Sequence, residues 1–191
     1  MAFARPQAPN PARTDLAEIL DRALFEARNQ MADGAGTAAG DSGIGNRRIE
    51  LTMGELPPVY VDAEQVQMAL TEVLHNALQA TDERDGLISV HAAYDPFSSR
   101  VVVTVTDNGC GMDDQTLRRA FDPFFSSLPA GRRRGMGLAK ALRWVESSNG
   151  SIRLESHVNQ GTRAMVLLPA VWDVDGPDRN EGEPPRIAAE G

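Results

Sequence analysis

The sequence predicts a two-layer α+β sandwich, a mixed β-sheet with helices over one face. Three observations predict it. Helical and extended patterns follow one another in the order helix, strands, helix, strands, helix, hairpin. Val101, Val103 and Val105 alternate with Val102, Thr104 and Thr106, so one strand is apolar on both sides and belongs at the centre of a sheet. The last two strands, Ser151–Ser156 and Arg163–Leu168, flank Asn159-Gln160-Gly161, which reads as a hairpin turn.

Residues 1–13 are rich in Pro, Ala and Asn and read as a flexible lead-in. Thr14 then reads as the N-cap of a helix running to about Met31, with Glu18 in its first turn where an acid suits the dipole. Leu16, Ile19, Leu20, Ala23, Leu24 and Ala27 form its apolar stripe. Residues 32–46 are almost all small or polar and predict a mobile loop. A strand near Ile49–Met53 leads through Leu56-Pro57-Pro58 to an extended piece at Val59–Val61. Asp62 caps a long helix from Ala63 to about Thr81, and strands follow at Leu87–Ala93 and Arg100–Thr106. A short helix at about Asp114–Ala120 precedes an irregular stretch to Arg134. The last helix starts near Met136 and stops at Asn149-Gly150, a pair suited to a helix C-cap. The acidic, Pro- and Gly-rich tail, 171–191, reads as disordered. One domain is expected over 14–170.

Composition narrows the function. A chain of 191 residues can bury a core in one domain, and 41% hydrophobic with 24% charged residues is ordinary for a globular protein. A net charge of −8 argues against a nucleic-acid partner, which calls for a basic face. A single cysteine, Cys110, excludes a disulfide framework or a cysteine zinc cluster within the chain. No apolar run is long enough to span a membrane, and Met-Ala-Phe-Ala-Arg-Pro lacks the apolar core of a secretory signal. A cytoplasmic protein without membrane contact is expected.

Four motifs carry chemistry. In the long helix Val66, Leu70, Val73 and Ala77 form the buried stripe, and Glu72 and Asn76 stack one turn apart on its flank. Ala69 and Ala80 beside them leave room for a ligand, and Mg²⁺ takes one or two protein oxygens plus phosphates and waters. Taken alone, the pair reads better as a solvated helix flank. Asp107-Asn108-Gly109-Cys110-Gly111-Met112 follows the central strand. An acid at a strand end can accept from an exocyclic amine, and the two glycines let the backbone approach a flat ring. Gly135-Met136-Gly137-Leu138-Ala139 opens a helix, where free N–H groups suit phosphate. Gly161-Thr162 lies at the hairpin turn.

In this order and context the four motifs resemble the ATP-binding domain of histidine kinases, a fold shared with gyrase, the MutL mismatch-repair ATPase and a heat-shock chaperone family. Glu72 and Asn76 match the N box. Asp107, Gly109 and Gly111 match the first glycine box, Gly135 and Gly137 the second, and Gly161-Thr162 the third. Phe121-Asp122-Pro123-Phe124-Phe125-Ser126-Ser127 resembles the F box, which is typical of histidine kinases and not of the other branches. The resemblance runs from about Asp15 to Pro169. It implies that Asp107 bonds the adenine amino group with support from Thr162, and that Asn76 coordinates Mg²⁺ bridging the phosphates. It further implies that Gly135 and Gly137 lie on the phosphates, that Ala80, Met112 and Leu138 line the nucleotide pocket, and that 113–134 is a mobile lid. The cofactors are then ATP and Mg²⁺.

The sequence departs from the family pattern in four places. Glu72 stands where many relatives have Asn, which leaves open whether it acts as a base toward water or orients the acceptor. The lysine found after the F box in many relatives is absent. Arg132, Arg133 and Arg134 form the chain's one triple basic cluster and are candidates to neutralise phosphate charge. Gln79 stands where some relatives have a cation and can donate to phosphate. Finally, His75, His91 and His157 all lack the acidic, proline-containing helix context of a phosphoacceptor. The expected activity is therefore transfer of the γ-phosphoryl group to a histidine on a separate dimerisation domain or partner, then to a response regulator. An anti-sigma-type serine kinase or an ATP-binding docking module are the alternatives.

Overall fold

A computed structural model describes residues 9–35, 44–125 and 135–171, the last four residues of the first helix by backbone alone. The elements are β1 (Ala12–Thr14), α1 (Leu16–Ala35), β2 (Arg48–Met53), β3 (Val59–Val61), α2 (Ala63–Ala80), β4 (Leu87–Asp95), β5 (Arg100–Asp107), α3 (Asp114–Arg118), α4 (Gly137–Ser147), β6 (Ser151–His157) and β7 (Gly161–Pro169). Five strands form a mixed sheet in the order β2-β4-β5-β7-β6, with β2 parallel to β4 and every other neighbour antiparallel. The apolar β5 strand is central, as its sequence predicts.

The core lies between the sheet and a helical layer in which α2 packs against both α1 and α4. Val101, Val103 and Val105 point into it and are at most 2% exposed. Val102 and Thr104 are only half-buried and Thr106 is exposed, because the helices cover a single face. The stripe expected on α2 is buried and is wider than its four residues, since Ala69, Leu74 and Leu78 are also enclosed. Asp62 caps α2 as expected, its Oδ1 accepting the Gln65 N–H at 3.0 Å.

The N-terminal third corrects three expectations. Thr14 does not cap α1. It ends β1, which pairs antiparallel with β3, and the Asp15 carboxylate accepts the Ala17 N–H at 2.8 Å instead. The lead-in is held at its end, where Asn10 N–H donates to Asp62 at 2.9 Å. The loop expected over 32–46 is helical to Ala35, and its other end is anchored. Ile44 is buried and Asn46 N–H donates to Glu83 O at 2.8 Å. Beyond it, Arg47 is buried against the C-terminus of α2, donating to Thr81 O from Nε (3.3 Å) and Nη2 (3.1 Å) and to Ile44 O from Nη1 (2.9 Å). A guanidinium at a helix C-terminus meets both orphaned carbonyls and the negative end of the dipole. Residues 1–8 of the expected lead-in, 36–43 of the expected loop, 126–134 of the expected lid and the expected disordered tail beyond Val171 lie outside the described residues. Among the described residues no helix is long and apolar enough to cross a membrane.

Candidate functional site

The site is assembled at the end of the sheet where β5 stops. Asp107, its last residue, pairs with Thr162 on β7, and Thr162 pairs with Ser156 on β6. Directly opposed residues share a face, so these three side chains form a polar row across the strand ends. Asp107 is 6% exposed. Its Oδ1 accepts from Gly109 N–H (2.9 Å) and Thr162 N–H (3.2 Å), while Oδ2 has no partner among the described residues. Burial raises the Asp107 pKa above its ordinary value, and the two backbone donors only partly offset it. A buried carboxylate with one unused oxygen suits a donor that arrives with a ligand.

The glycines bring the neighbouring turns into contact. A Cβ on Gly109 would stand 2.5 Å from Ala80 O, at the end of α2, and Cys110 N–H donates to that same carbonyl at 3.1 Å. Gly161 has φ +82°, and a Cβ there would overlap the Asp107 carbonyl. The first glycine turn is thus seated on α2 on one side and on the β6–β7 turn on the other, where Asn159 N–H donates to Cys110 O at 2.7 Å. Met112, half-buried, donates its N–H to Ser156 Oγ at 2.8 Å.

A second group of residues meets at the start of α4. A Cβ on Gly137 would lie 2.7 Å from Glu72 Oε2 and 3.8 Å from Asn76 Nδ2. Residues distant in the chain therefore converge on one point. Asn76 Nδ2 is buried and has no partner among the described residues. A buried amide without a partner costs free energy until a ligand satisfies it. Turning the amide about its last torsion offers either end, Nδ2 to phosphate or Oδ1 to a cation. Met136 provides no side-chain cap, so the first N–H groups of α4 keep their capacity for an anion. Among the described residues no three His, Cys, Asp or Glu side chains gather as a metal-ligand set. A divalent cation here would rely on Asn76 plus substrate oxygens, as Mg²⁺ commonly does.

Several of the residues expected from sequence are thus brought together: Glu72, Asn76 and Gly137 at one end, and Asp107, Gly109, Gly111, Met112 and Thr162 at the other. Ala80 joins the latter group through its carbonyl, which accepts the Cys110 N–H. Leu138 is half-buried against the core and Gln79 is half-buried, with no hydrogen bond among the described residues. Gly135 abuts the Phe125 carbonyl, so the residues on either side of 126–134 in the expected lid region are in contact. In the described part of that segment, Phe121 packs on the core and the Arg119 guanidinium lies 4.2 Å from the Phe125 ring centre. Arg132, Arg133 and Arg134 lie outside the described residues. His75 is buried, and His91 and His157 are exposed on strands, none in the context of an acceptor helix.

Sequence reasoning missed Ser156. Its signal was available: Ile152, Leu154 and Ser156 share the inward face of β6, and a hydroxyl in that series is out of keeping with a core.

The family model described as histidine kinase-, DNA gyrase B-, and HSP90-like ATPase matches residues 61–171. The signal transduction histidine-protein kinase AtoS of Escherichia coli (strain K12) is 34% identical over 115 residues, 60% of this chain and 18% of that protein. The methanogenesis regulatory histidine kinase FilI of Methanothrix harundinacea (strain 6Ac) is 29% identical over 160 residues, 83% of this chain and 16% of that protein. This chain thus spans less than a fifth of the length of either relative. The solved structure of the mycobacterial sensor histidine kinase MprB superposes with a TM-score of 0.66 at 25% identity, covering 84% of this chain and 98% of that one.

Proposed function

From the premise that this chain belongs to the histidine kinase-, DNA gyrase B-, and HSP90-like ATPase family, we propose that it binds Mg–ATP and passes the γ-phosphoryl group to a histidine supplied by another domain or protein. A response regulator is the next acceptor, and the setting is the cytoplasm. The observation that carries this reading is the convergence of Glu72, Asn76 and the uncapped start of α4 on one point, with the buried Asp107 carboxylate in the same site.

Each residue then has a definite task. Asp107 Oδ2 accepts from the exocyclic amine of adenine, and Gly109 and Gly111 let the ring lie against the backbone. Met112, Ala80 and Leu138 line the base and sugar, as suits a mostly apolar pocket with few polar anchors. Asn76 and the N–H groups from Gly135 to Leu138 hold the phosphates, with Gln79 as a further donor. Asn76 would hold Mg²⁺, which would supply neutralisation of the phosphate charge. Arg132, Arg133 and Arg134 supply cationic charge from the lid. In the transfer the bond from the γ-phosphorus to the bridging oxygen breaks, ADP leaves with that electron pair, and a phosphorus–nitrogen bond forms to the acceptor imidazole. Glu72 orients that imidazole. Its place beside Gly137 also supports a second outcome, slow hydrolysis, in which it takes a proton from water.

The test uses γ-labelled ATP and the protein with isolated histidine-containing helical hairpin domains. Acid-labile label on a hairpin is expected. Acid-stable label on another partner, or binding with no transfer to any hairpin, would contradict the proposal.

The crowding at Gly137 makes a separate prediction. In Gly137→Ala the new methyl group displaces the flexible end of Glu72, while alanine suits a helix start. Stability should change by less than about 1 kcal/mol. Single-turnover transfer should slow about tenfold, because the acceptor loses its positioning group. Thermal melting and quenched-flow labelling read the two effects independently.

A further inference from the structure

We propose that Ser156 is a positioning residue that makes the pocket selective for a 6-aminopurine over a 6-oxopurine; the inference rests on the adenine site proposed above. The argument is a count of hydrogens. Ser156 is 5% exposed, and its Oγ has three partners: Met112 N–H at 2.8 Å, Gly161 O at 2.9 Å and Thr162 Oγ1 at 2.9 Å. A hydroxyl has one hydrogen and two lone pairs. The Gly161 carbonyl has no hydrogen to give, so the Ser156 hydrogen lies on that bond. One lone pair takes the Met112 N–H. The other is left for Thr162, whose hydroxyl hydrogen must therefore point at Ser156.

The consequence falls on Thr162. With its only hydrogen committed, its oxygen faces the rest of the site as an acceptor alone. Thr162 stands directly across the strand pair from Asp107, whose free Oδ2 is also an acceptor. Among the described residues, Thr162 and Asp107 offer lone pairs here and no side-chain hydrogen. An exocyclic amine brings two N–H groups and satisfies them. A 6-oxo group brings lone pairs against lone pairs, the mismatch that discriminates most strongly in buried polar sites.

The experiment is an equilibrium titration of the whole chain with Mg–ATP and Mg–ITP, which differ in amino against oxo at position 6 and in N1, a lone pair in adenine and an N–H in hypoxanthine. The unaltered protein should prefer ATP by at least about a hundredfold. In Ser156→Ala the Thr162 hydroxyl is released and can turn to donate to a 6-oxo group. The ATP/ITP preference should shrink by about tenfold, the value of one hydrogen bond. A purely structural role would weaken both nucleotides by one factor and leave the ratio unmoved, and that result overturns the inference. Ser156→Cys keeps the side chain's size with a weakly bonding thiol and should move the ratio in the same direction by less. In a Thr162→Val background, removing the Ser156 hydroxyl should no longer change the ratio; a shift that persists there refutes the route through Thr162. Absence of ATP binding to the unaltered protein would remove the adenine site itself, whereas ATP selectivity indifferent to Ser156 removes only this inference.

Discussion

Asp107→Asn should weaken ATP binding by about a hundredfold or more while leaving the fold at least as stable as the parent. The two effects have one cause. Asparagine can keep an oxygen for the Gly109 and Thr162 N–H groups, so the turn survives. Its other end becomes an N–H₂ group, which meets the amine of adenine donor against donor. The charge that is lost is one the fold holds at a cost, since burial raises the Asp107 pKa above 3.8. A raised pKa means the native state holds the proton more tightly than the unfolded state does. Stability therefore falls as pH rises from the ordinary value through the raised one, and the full cost is present above both. Asparagine carries no such cost. Nucleotide affinity should run the other way, falling as pH drops through the raised pKa, because only the carboxylate is a pure acceptor. Calorimetric titration and thermal melting of parent and variant across that range check both signs.

Gly161→Ala is the second large effect, and it acts on the fold. Gly161 sits at φ +82°, and a Cβ there would run into the carbonyl of Asp107. The left-handed backbone alone costs about 1–2 kcal/mol for an L residue, and the clash with main chain adds to it. A loss of about 4 kcal/mol is expected, which lowers the melting temperature by roughly 10–15 °C for a domain of this size. The same displacement moves Asp107, so nucleotide binding should fail even in the folded fraction. Melting near the parent temperature would contradict the close approach of the two turns.

Both variants act at residues that local sequence made visible. Asp107 stands at the end of an apolar strand and is followed by two glycines, and Glu72 and Asn76 repeat at helical spacing. Such patterns are contained in a few neighbouring residues, and the structure places them as their spacing suggests. What was not legible depends on pairing across the chain. Ala12–Thr14 become a strand only because Val59–Val61 are there to pair with. Arg47 reads as a solvated charge until the C-terminus of α2 is seen above it. Ser156 acquires a meaning only when Met112, Gly161 and Thr162 are brought around it. The contact of Glu72 with the start of α4 is likewise a tertiary fact, and it joins two motifs that sequence could only set side by side.

The most direct measurement is an equilibrium titration of this chain with ATP in the presence and absence of Mg²⁺. The account predicts saturable binding at one site per chain, competition by ADP, and a marked loss of affinity when Mg²⁺ is chelated. No saturable binding, or binding that Asp107→Asn leaves intact, would contradict it.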